Sequence, residues 1–251
     1  MKHISSPKNE IVKQWKKLLT KKGRLQTKRF LIEGEHLVEE AVRAGIIKEL
    51  IVREDVQVPG SWKKNAADLI TIDESVAKVL SETETTQGIF AVCEMKQQTE
   101  RLERGRYLLL DRLQDPGNVG TMIRTADAAG FDGVIIGHGT VDVYNSKVLR
   151  ATQGSIFHLP VIMMSLEEAI QDLHELGVFI LGTALRGAQP YTDVENLGAI
   201  GLIIGNEAQG VAPELLDQCD GRAYIPIRGK AESLNAAVAA GILLYHFAPA
   251  D

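Results

Sequence analysis

Gly201–His246 reads GLIIGNEAQGVAPELLDQCDGRAYIPIRGKAESLNAAVAAGILLYH, and the rest of the chain is organised around this last fifth. A short apolar run, Leu202–Ile204, enters the glycine-bounded loop Gly205-Asn206-Glu207-Ala208-Gln209-Gly210. A second strand is predicted at Ala223–Ile227, and a flexible loop then leads to Ser233-Leu234-Asn235 and a nearly all-apolar helix. In an α/β sheet, loops at the carboxyl ends of strands form the ligand crevice. The first loop offers a carboxylate and amides between glycines that allow close backbone approach. The second offers a hydroxyl and an amide at a helix start. Neither carries a phosphate-cradling Gly-Lys-Ser/Thr or metal-ligand spacing, which points to a polar organic ligand held largely by backbone, with no metal.

Upstream, from Tyr107, strand and helix patterns alternate at short intervals: YLLLD, NVGTMIRTADAAG, DGVIIG, a helix near Ser146–Thr152, a strand at Leu159–Met163, a helix at Leu166–Leu176 and a strand at Val178–Thr183. Strands that are continuous apolar runs are buried on both faces, which implies a mostly parallel sheet covered by helices. Before this region, EMKQQTERLERGR (Glu94–Arg106) has no apolar periodicity and reads as a linker. Further upstream lies a compact α/β unit of under 100 residues. It has a weakly amphipathic helix at Ile11–Leu19, a strand at Phe30–Glu33 and a helix opened by Gly34 with Leu37, Val38, Ala41 and Val42 at core spacing. Strands follow at Ile46–Val52, Leu69–Ile72 and Gly88–Cys93, with a helix at Glu74–Leu80 and a polar loop around Pro59-Gly60. The resulting division is 1–96, linker 97–106, and 107–251.

The 251 residues are 45% hydrophobic and 24% charged, the composition of an ordinary soluble protein. No apolar run approaches the roughly 18 residues of a membrane span, the start MKHISSPKNE is polar, and Cys93 and Cys219 form no disulfide framework. A reduced, cytoplasmic chain without membrane attachment is the economical reading. The net charge of −5 conceals an asymmetry: residues 1 to 30 hold ten Lys or Arg and one acid, Glu10, so this segment is +9 and the remainder −14. Such a segment suits contact with a phosphate backbone; it suits a solvated helix face equally well.

A third constellation follows the first strand of the C-terminal region: Asp115-Pro116-Gly117-Asn118-Val119-Gly120, then Thr121-Met122-Ile123-Arg124. Pro-Gly-Asn predicts a turn with Asn118 where an N-cap would stand. Arg124, six residues on, can reach the same end of the sheet or pair with Asp127 or Asp115.

These blocks resemble the three motifs of the SpoU (TrmH-like) family of RNA ribose 2′-O-methyltransferases: Asn118, Gly120 and Arg124 as N-x-G-x-x-x-R; Gly205, Glu207 and Gly210 as G-x-E-x-x-G; and Ile225, Pro226, Ser233, Leu234 and Asn235 as I-P followed by S-L-N. They occur in the family's order over about 140 residues, with Ile227 standing where relatives often have Met or Leu. Residues 24 to 95, including FLIEGEHLVEEA and TTQGIFAV, resemble the small substrate-binding domain often found ahead of this family's catalytic domain. The resemblance implies an S-adenosylmethionine-dependent enzyme with a C-terminal trefoil knot (SPOUT-like) behind a small α/β RNA-binding domain. Knots are otherwise almost absent from proteins, so that topology comes from the resemblance alone. It also implies cofactor contacts at Gly205, Ile225 and Leu234, with Ala184 beside them, and a homodimer whose active site is completed across the interface. Ribosomal RNA is favoured over transfer RNA as substrate, because the N-terminal region resembles a domain common in enzymes acting on ribosomal RNA.

Methyl transfer from a sulfonium needs no metal; the enzyme must align the attacking oxygen and manage the proton of a weakly acidic hydroxyl. Arg124 is the candidate at the reacting hydroxyl. A guanidinium is always protonated and so a poor base, although the family's arginine is often described as one; binding a phosphate or stabilising the alkoxide suits its charge. Glu207 is expected to hold Arg124, and Asn118, Ser233 and Asn235 to orient arginine, cofactor or ribose. Ser233 could also cap the following helix. The six histidines show no metal or triad spacing. Two other classes compete: a Rossmann-type dehydrogenase, which would place a glycine fingerprint where DPGNVG stands, and a non-catalytic RNA-binding module, which would not need the second and third blocks.

Overall fold

The computed structural model describes residues 2–65, 68–95 and 101–249. Two compact units emerge, Met1–Gln97 together with Asp142–Phe157, and Gln98–Val141 together with His158–Asp251.

The first unit begins with β1 (Lys2–Ile4), α1 (Glu10–Lys17), α2 (Lys21–Thr27), β2 (Arg29–Glu33) and α3 (Glu35–Arg43), and continues with β3 (Ile47–Arg53), α4 (Gly60–Asn65), β4 (Asp68–Ile72), α5 (Glu74–Leu80) and β5 (Ile89–Glu94). The Asn9 side chain accepts from the Ile11 amide to start α1, whose acidic first turn and lysine-rich last turn suit the helix dipole. Helix α1 buries Val12 and Trp15 among Ile51, Ile70, Phe90 and Val92. The five strands lie in the order β1-β4-β3-β5-β2, with β5 antiparallel to both its neighbours and the remaining pairs parallel. The predicted strands and the Gly34-opened helix are present. The helix predicted at Ile11–Leu19 is α1, and a second helix, α2, follows it, capped by the Thr20 hydroxyl, which accepts from the Gly23 amide. Helix α4 occupies the segment read as a polar loop.

The second unit runs through β6 (Arg106–Leu110), α6 (Pro116–Ala128) and β7 (Gly133–Ile136). The chain then leaves it for Asp142–Phe157, which carries α7 (Ser146–Thr152) and belongs with the first unit. There Asp142 Oδ2 accepts from the buried Arg24 guanidinium at 2.7 Å, and Tyr144 (tilted) and Phe157 (stacked) pack against Phe30 with ring centroids 4.7 and 6.5 Å away. The chain returns as β8 (Val161–Met163), α8 (Leu166–Glu175), β9 (Phe179–Thr183), β10 (Gln189–Pro190), β11 (Ile200–Ile204), α9 (Pro213–Leu216), β12 (Gly221–Tyr224) and α10 (Ala236–His246). Helix α8 shows why periodicity works: Leu166, Ala169, Ile170 and Leu173 recur at helical spacing and are all buried, and Ser165 caps the Glu168 amide.

All pairs of the seven-stranded sheet, β10-β12-β9-β11-β6-β7-β8, are parallel. Its central strands β6 and β11 are apolar runs, with Leu108, Leu109, Leu110, Leu202 and Ile203 fully enclosed, each worth about 1.5–3 kcal/mol of burial. Residues 96–100 of the predicted linker lie outside the described residues; Leu102 is already buried in the second unit's core, and strand structure begins at Arg106. Among the described residues no helix is long and apolar enough to cross a membrane. Both cysteines are free; burial pushes the Cys93 thiol up, and it pushes the Cys219 thiol up to about 11.

Candidate active site

Three adjacent strands, β12, β9 and β11, end at one open cavity of about 570 Å³. Ala184 follows β9, Gly205 follows β11 and Ile225 follows β12; all three line the cavity, together with Glu207, Ser233 and Leu234. Thus four cofactor candidates and two of the five polar candidates, scattered over 51 positions of sequence, meet in one place.

The loop after β11 is closed on itself. Asn206 and Gly210 exchange backbone hydrogen bonds of 3.1 and 2.8 Å, and the Asn206 carboxamide oxygen accepts from the amides of Ala208 and Gln209. Gly210 holds φ +72°, a left-handed conformation suited to glycine. Gly205 is needed for a different reason from the one the sequence suggests. Its φ is not left-handed, and a Cβ there would overlap the backbone of Gly210 and Val211, so the loop's own closure excludes a side chain.

Glu207 joins this loop to the first motif. Its carboxylate accepts from the backbone amides of Gln114 (3.2 Å) and Asp115 (3.1 Å) and from the Asn118 side-chain amide (3.2 Å). Partial burial pushes its carboxyl up, but the amides of Glu207, Asp115 and Gln114 and the Asn118 side chain outweigh that and hold it below the usual carboxylate range. The carbonyl oxygen of the Asn118 side chain in turn accepts from Asn235 Nδ2 at 3.0 Å. A continuous relay, Glu207–Asn118–Asn235, therefore ties the three motifs together.

Several details differ from the sequence reading. Asp115, not Asn118, caps α6: its side chain accepts the Asn118 amide at 2.8 Å and Pro116 occupies the first turn, leaving Asn118 inside the helix with its side chain free for the relay. Asn235, not Ser233, caps α10, its oxygen accepting from Ala237 and Val238 while its amide reaches Asn118. Glu207 does not hold Arg124. Arg124 is exposed on α6 and makes no hydrogen bond or ion pair with any described residue, Asp127 and Asp115 included.

Sequence reasoning missed the Asp111-Arg112 pair. Asp111 is buried; its carboxylate accepts from the Ala212 amide at 2.8 Å and from Arg112 Nε and Nη2 at 2.8 and 3.0 Å. Arg112 has φ +53°, a conformation that costs a non-glycine residue about 1–3 kcal/mol. A charged residue just past a strand end was the available signal, and nothing in the sequence separated it from an ordinary surface arginine. Three histidines do find carboxylates, His3 with Asp73, His158 with Asp127 and His174 with Asp220, all in exposed pairs. His3, Asp73 and Glu54 gather their ligating atoms within 4.8 Å on the surface of the first unit.

The sequence pattern of the SpoU rRNA Methylase family matches residues 105–245, and that of the MRM3-like substrate binding domain matches residues 9–91. The chain is 49% identical over 248 residues to the 23S rRNA (guanosine(2553)-2′-O)-methyltransferase RlmP of Bacillus subtilis, covering 98% of this chain and 99% of that protein. It is 34% identical to a putative TrmH family tRNA/rRNA methyltransferase of Staphylococcus aureus, over 86% of this chain and 94% of that one. Among solved structures, the AdoMet-bound rRNA methyltransferase of Sinorhizobium meliloti superposes with a TM-score of 0.88 at 33% identity, covering 97% of this chain and 96% of that chain. The SpoU methyltransferase AviRb of Streptomyces viridochromogenes, in complex with AdoMet, superposes with a TM-score of 0.85 at 29% identity, over 95% and 96%.

Proposed function

Because the chain belongs to the SpoU rRNA methylase family, we propose that it transfers a methyl group from S-adenosylmethionine to the ribose 2′-hydroxyl of a guanosine in 23S ribosomal RNA. The observation that carries this reading is the Glu207–Asn118–Asn235 relay, which gathers three separate motifs beside one cavity.

The cavity fits the cofactor. Its volume of about 570 Å³ lies within the range of roughly 300–1,000 Å³ usual for small-molecule sites. Leu185, Ile227 and Leu234 line it as exposed apolar side chains, suited to covering the apolar faces of an adenosine, while the backbone around Ala184, Gly205 and Ile225 offers polar contacts. S-adenosylmethionine, when bound, supplies a methyl group on a sulfonium that needs no further activation to leave.

The chain's own residues then have an alignment task. The relay fixes the loops after β6, β11 and β12 relative to one another, so that an oxygen placed by one is held in line with a donor placed by the others. The N-terminal ends of α6 and α10 meet at the Asn118–Asn235 bond, and the positive ends of their two helix dipoles favour an anion such as an RNA phosphate. We assign Arg124 to that phosphate or to the developing alkoxide: it stays charged, and no described residue competes for it. Ser233, exposed at the cavity rim, is assigned to the ribose or cofactor.

RNA grip falls to the first unit, whose Lys16, Lys17, Lys21 and Lys22 are exposed, whereas Arg24 is consumed internally by Asp142. A homodimer belongs to the same reading. Helix α10 is apolar all round, yet leaves Val238 and Tyr245 52% and 62% exposed, which a second copy would cover. The C-terminal knot and a cytoplasmic location complete it.

The test is transfer of radiolabelled methyl from S-adenosylmethionine to total RNA from cells lacking the protein, followed by digestion to nucleosides. The expected product is 2′-O-methylguanosine confined to 23S RNA. Label in transfer RNA would move the substrate, and label on a base would overturn the reaction.

A further inference from the structure

We propose that Arg112 is a positioning residue for cofactor binding, which fastens the Gly205–Gly210 loop in its ligand-ready form. This rests on reading the cavity as the S-adenosylmethionine site.

Three non-glycine residues among those described have left-handed backbone: Lys28, Gln153 and Arg112. The first two close α2 and α7, where such a residue is the ordinary helix ending. Arg112 ends no helix; it sits between β6 and α6. A strained conformation of this kind persists only where the surroundings over-determine it, and here Asp111, Gln114 and the Gly205–Gly210 loop do so. The Arg112 carbonyl accepts from Asn206 Nδ2 at 2.8 Å and from Gln114 Nε2 at 3.0 Å. Its guanidinium donates to Gln209 Oε1 at 3.0 Å and to the Gly210 carbonyl at 3.3 Å.

One residue therefore holds three of the loop's six members, and the left-handed turn lets carbonyl and guanidinium face the same loop. Asp111 anchors the clamp. It accepts the bidentate fork of Arg112 and, through the Ala212 amide, pins the chain just past the loop, while its own amide donates to Ile204 just before it. Arg112 does not line the cavity, so it acts on the ligand through the loop. A planar fork with several fixed donors is required for this; a lysine would keep the charge beside Asp111 but could not bridge Asp111, Gln209 and Gly210 together.

The experiment compares wild type with Arg112→Lys and Arg112→Gly by calorimetric titration with S-adenosylmethionine, steady-state methylation of 23S RNA, and amide exchange of residues 205–210. Glycine keeps the left-handed turn and removes the clamp; lysine keeps the charge beside Asp111 should the glycine variant fail to fold. In Arg112→Lys, Kd and KM for the cofactor are expected to rise about tenfold, ~1.4 kcal/mol. Amide exchange in the loop should accelerate, while KM for RNA and kcat at saturating cofactor move less than about twofold. Cofactor affinity unchanged in the lysine variant, or a fall in kcat that tracks melting temperature without a change in KM, would overturn the proposal. Absence of cofactor binding in the wild type would overturn the reading of the cavity itself, and the proposal with it.

Discussion

Replacing Glu207 by Ala tests the relay at its busiest point. The substitution removes three hydrogen bonds at once, those from the Gln114 and Asp115 amides and from the Asn118 side chain. A hydrogen bond to a charged group contributes about 1.5–3 kcal/mol when shielded. Glu207 is largely exposed, so water rehydrates much of what is released, and a net loss of only ~1 kcal/mol, or about 2–4 °C in melting temperature, is expected. The functional loss is far larger, because the first motif is no longer tied to the cofactor loop, and misplacing reacting groups by about 1 Å costs on the order of 100-fold. Single-turnover methyl transfer at saturating cofactor and RNA, read beside a thermal melt, separates the two effects. A rate within about threefold of wild type would refute the reasoning. The pH dependence gives a second check. The Glu207 carboxyl is held below its ordinary range in the folded protein, so its contribution is complete above that range and is lost as pH falls through the folded value. Glu207→Gln removes this titration and should remove its share of the acid limb of activity.

Arg124→Ala should lower single-turnover transfer by about 100- to 1,000-fold while leaving cofactor affinity within a few-fold, measured by calorimetry; unchanged transfer would remove Arg124 from the reaction centre. Replacing Lys16, Lys17, Lys21 and Lys22 by Gln should make the plot of log RNA affinity against log salt shallower by up to about 0.7 per lost phosphate contact, with cofactor affinity unchanged. An unaltered slope would move the RNA grip to another surface. Val238→Glu sets a charge on the exposed apolar face of α10 and should convert a dimer to monomer by light scattering coupled to gel filtration; a monomeric wild type would refute the covered face.

The strands of the parallel sheet are legible because both their faces are buried: Leu108–Leu110 and Leu202–Ile204 are apolar without interruption, and such short runs suit a central strand. The motif residues were legible as a set, and the structure brings Asn118, Glu207 and Asn235 into contact. Their partners were not. Asn118 stands where an N-cap is expected and Ser233 could cap the next helix, yet Asp115 and Asn235, also suited, stand one turn or two residues away and take the role. Propensity ranks residue types and does not choose between neighbours. Glu207 does not pair with Arg124 because two backbone amides and the Asn118 side-chain amide take the same carboxylate. Arg112 was invisible because its importance lies in a backbone angle. Helix α2 was missed because Gly23 interrupts the periodic pattern, although the Thr20 cap and packing against the Lys17 backbone hold that turn in place.

Asp142–Phe157 also bears on the order in which the protein is made. A ribosome delivers the first 97 residues as one continuous piece, but the buried Arg24 then lacks its carboxylate, and Phe30 lacks Tyr144 and Phe157. That nascent piece must wait for some 60 further residues, about 3–12 s at ordinary synthesis rates of roughly 5–20 residues per second. Meanwhile β6, α6 and β7 emerge ahead of the missing segment. The two units thus complete themselves in an interleaved order, and a fragment ending near residue 97 would be expected to behave as an unfinished translation product with an open aromatic pocket and a stranded guanidinium.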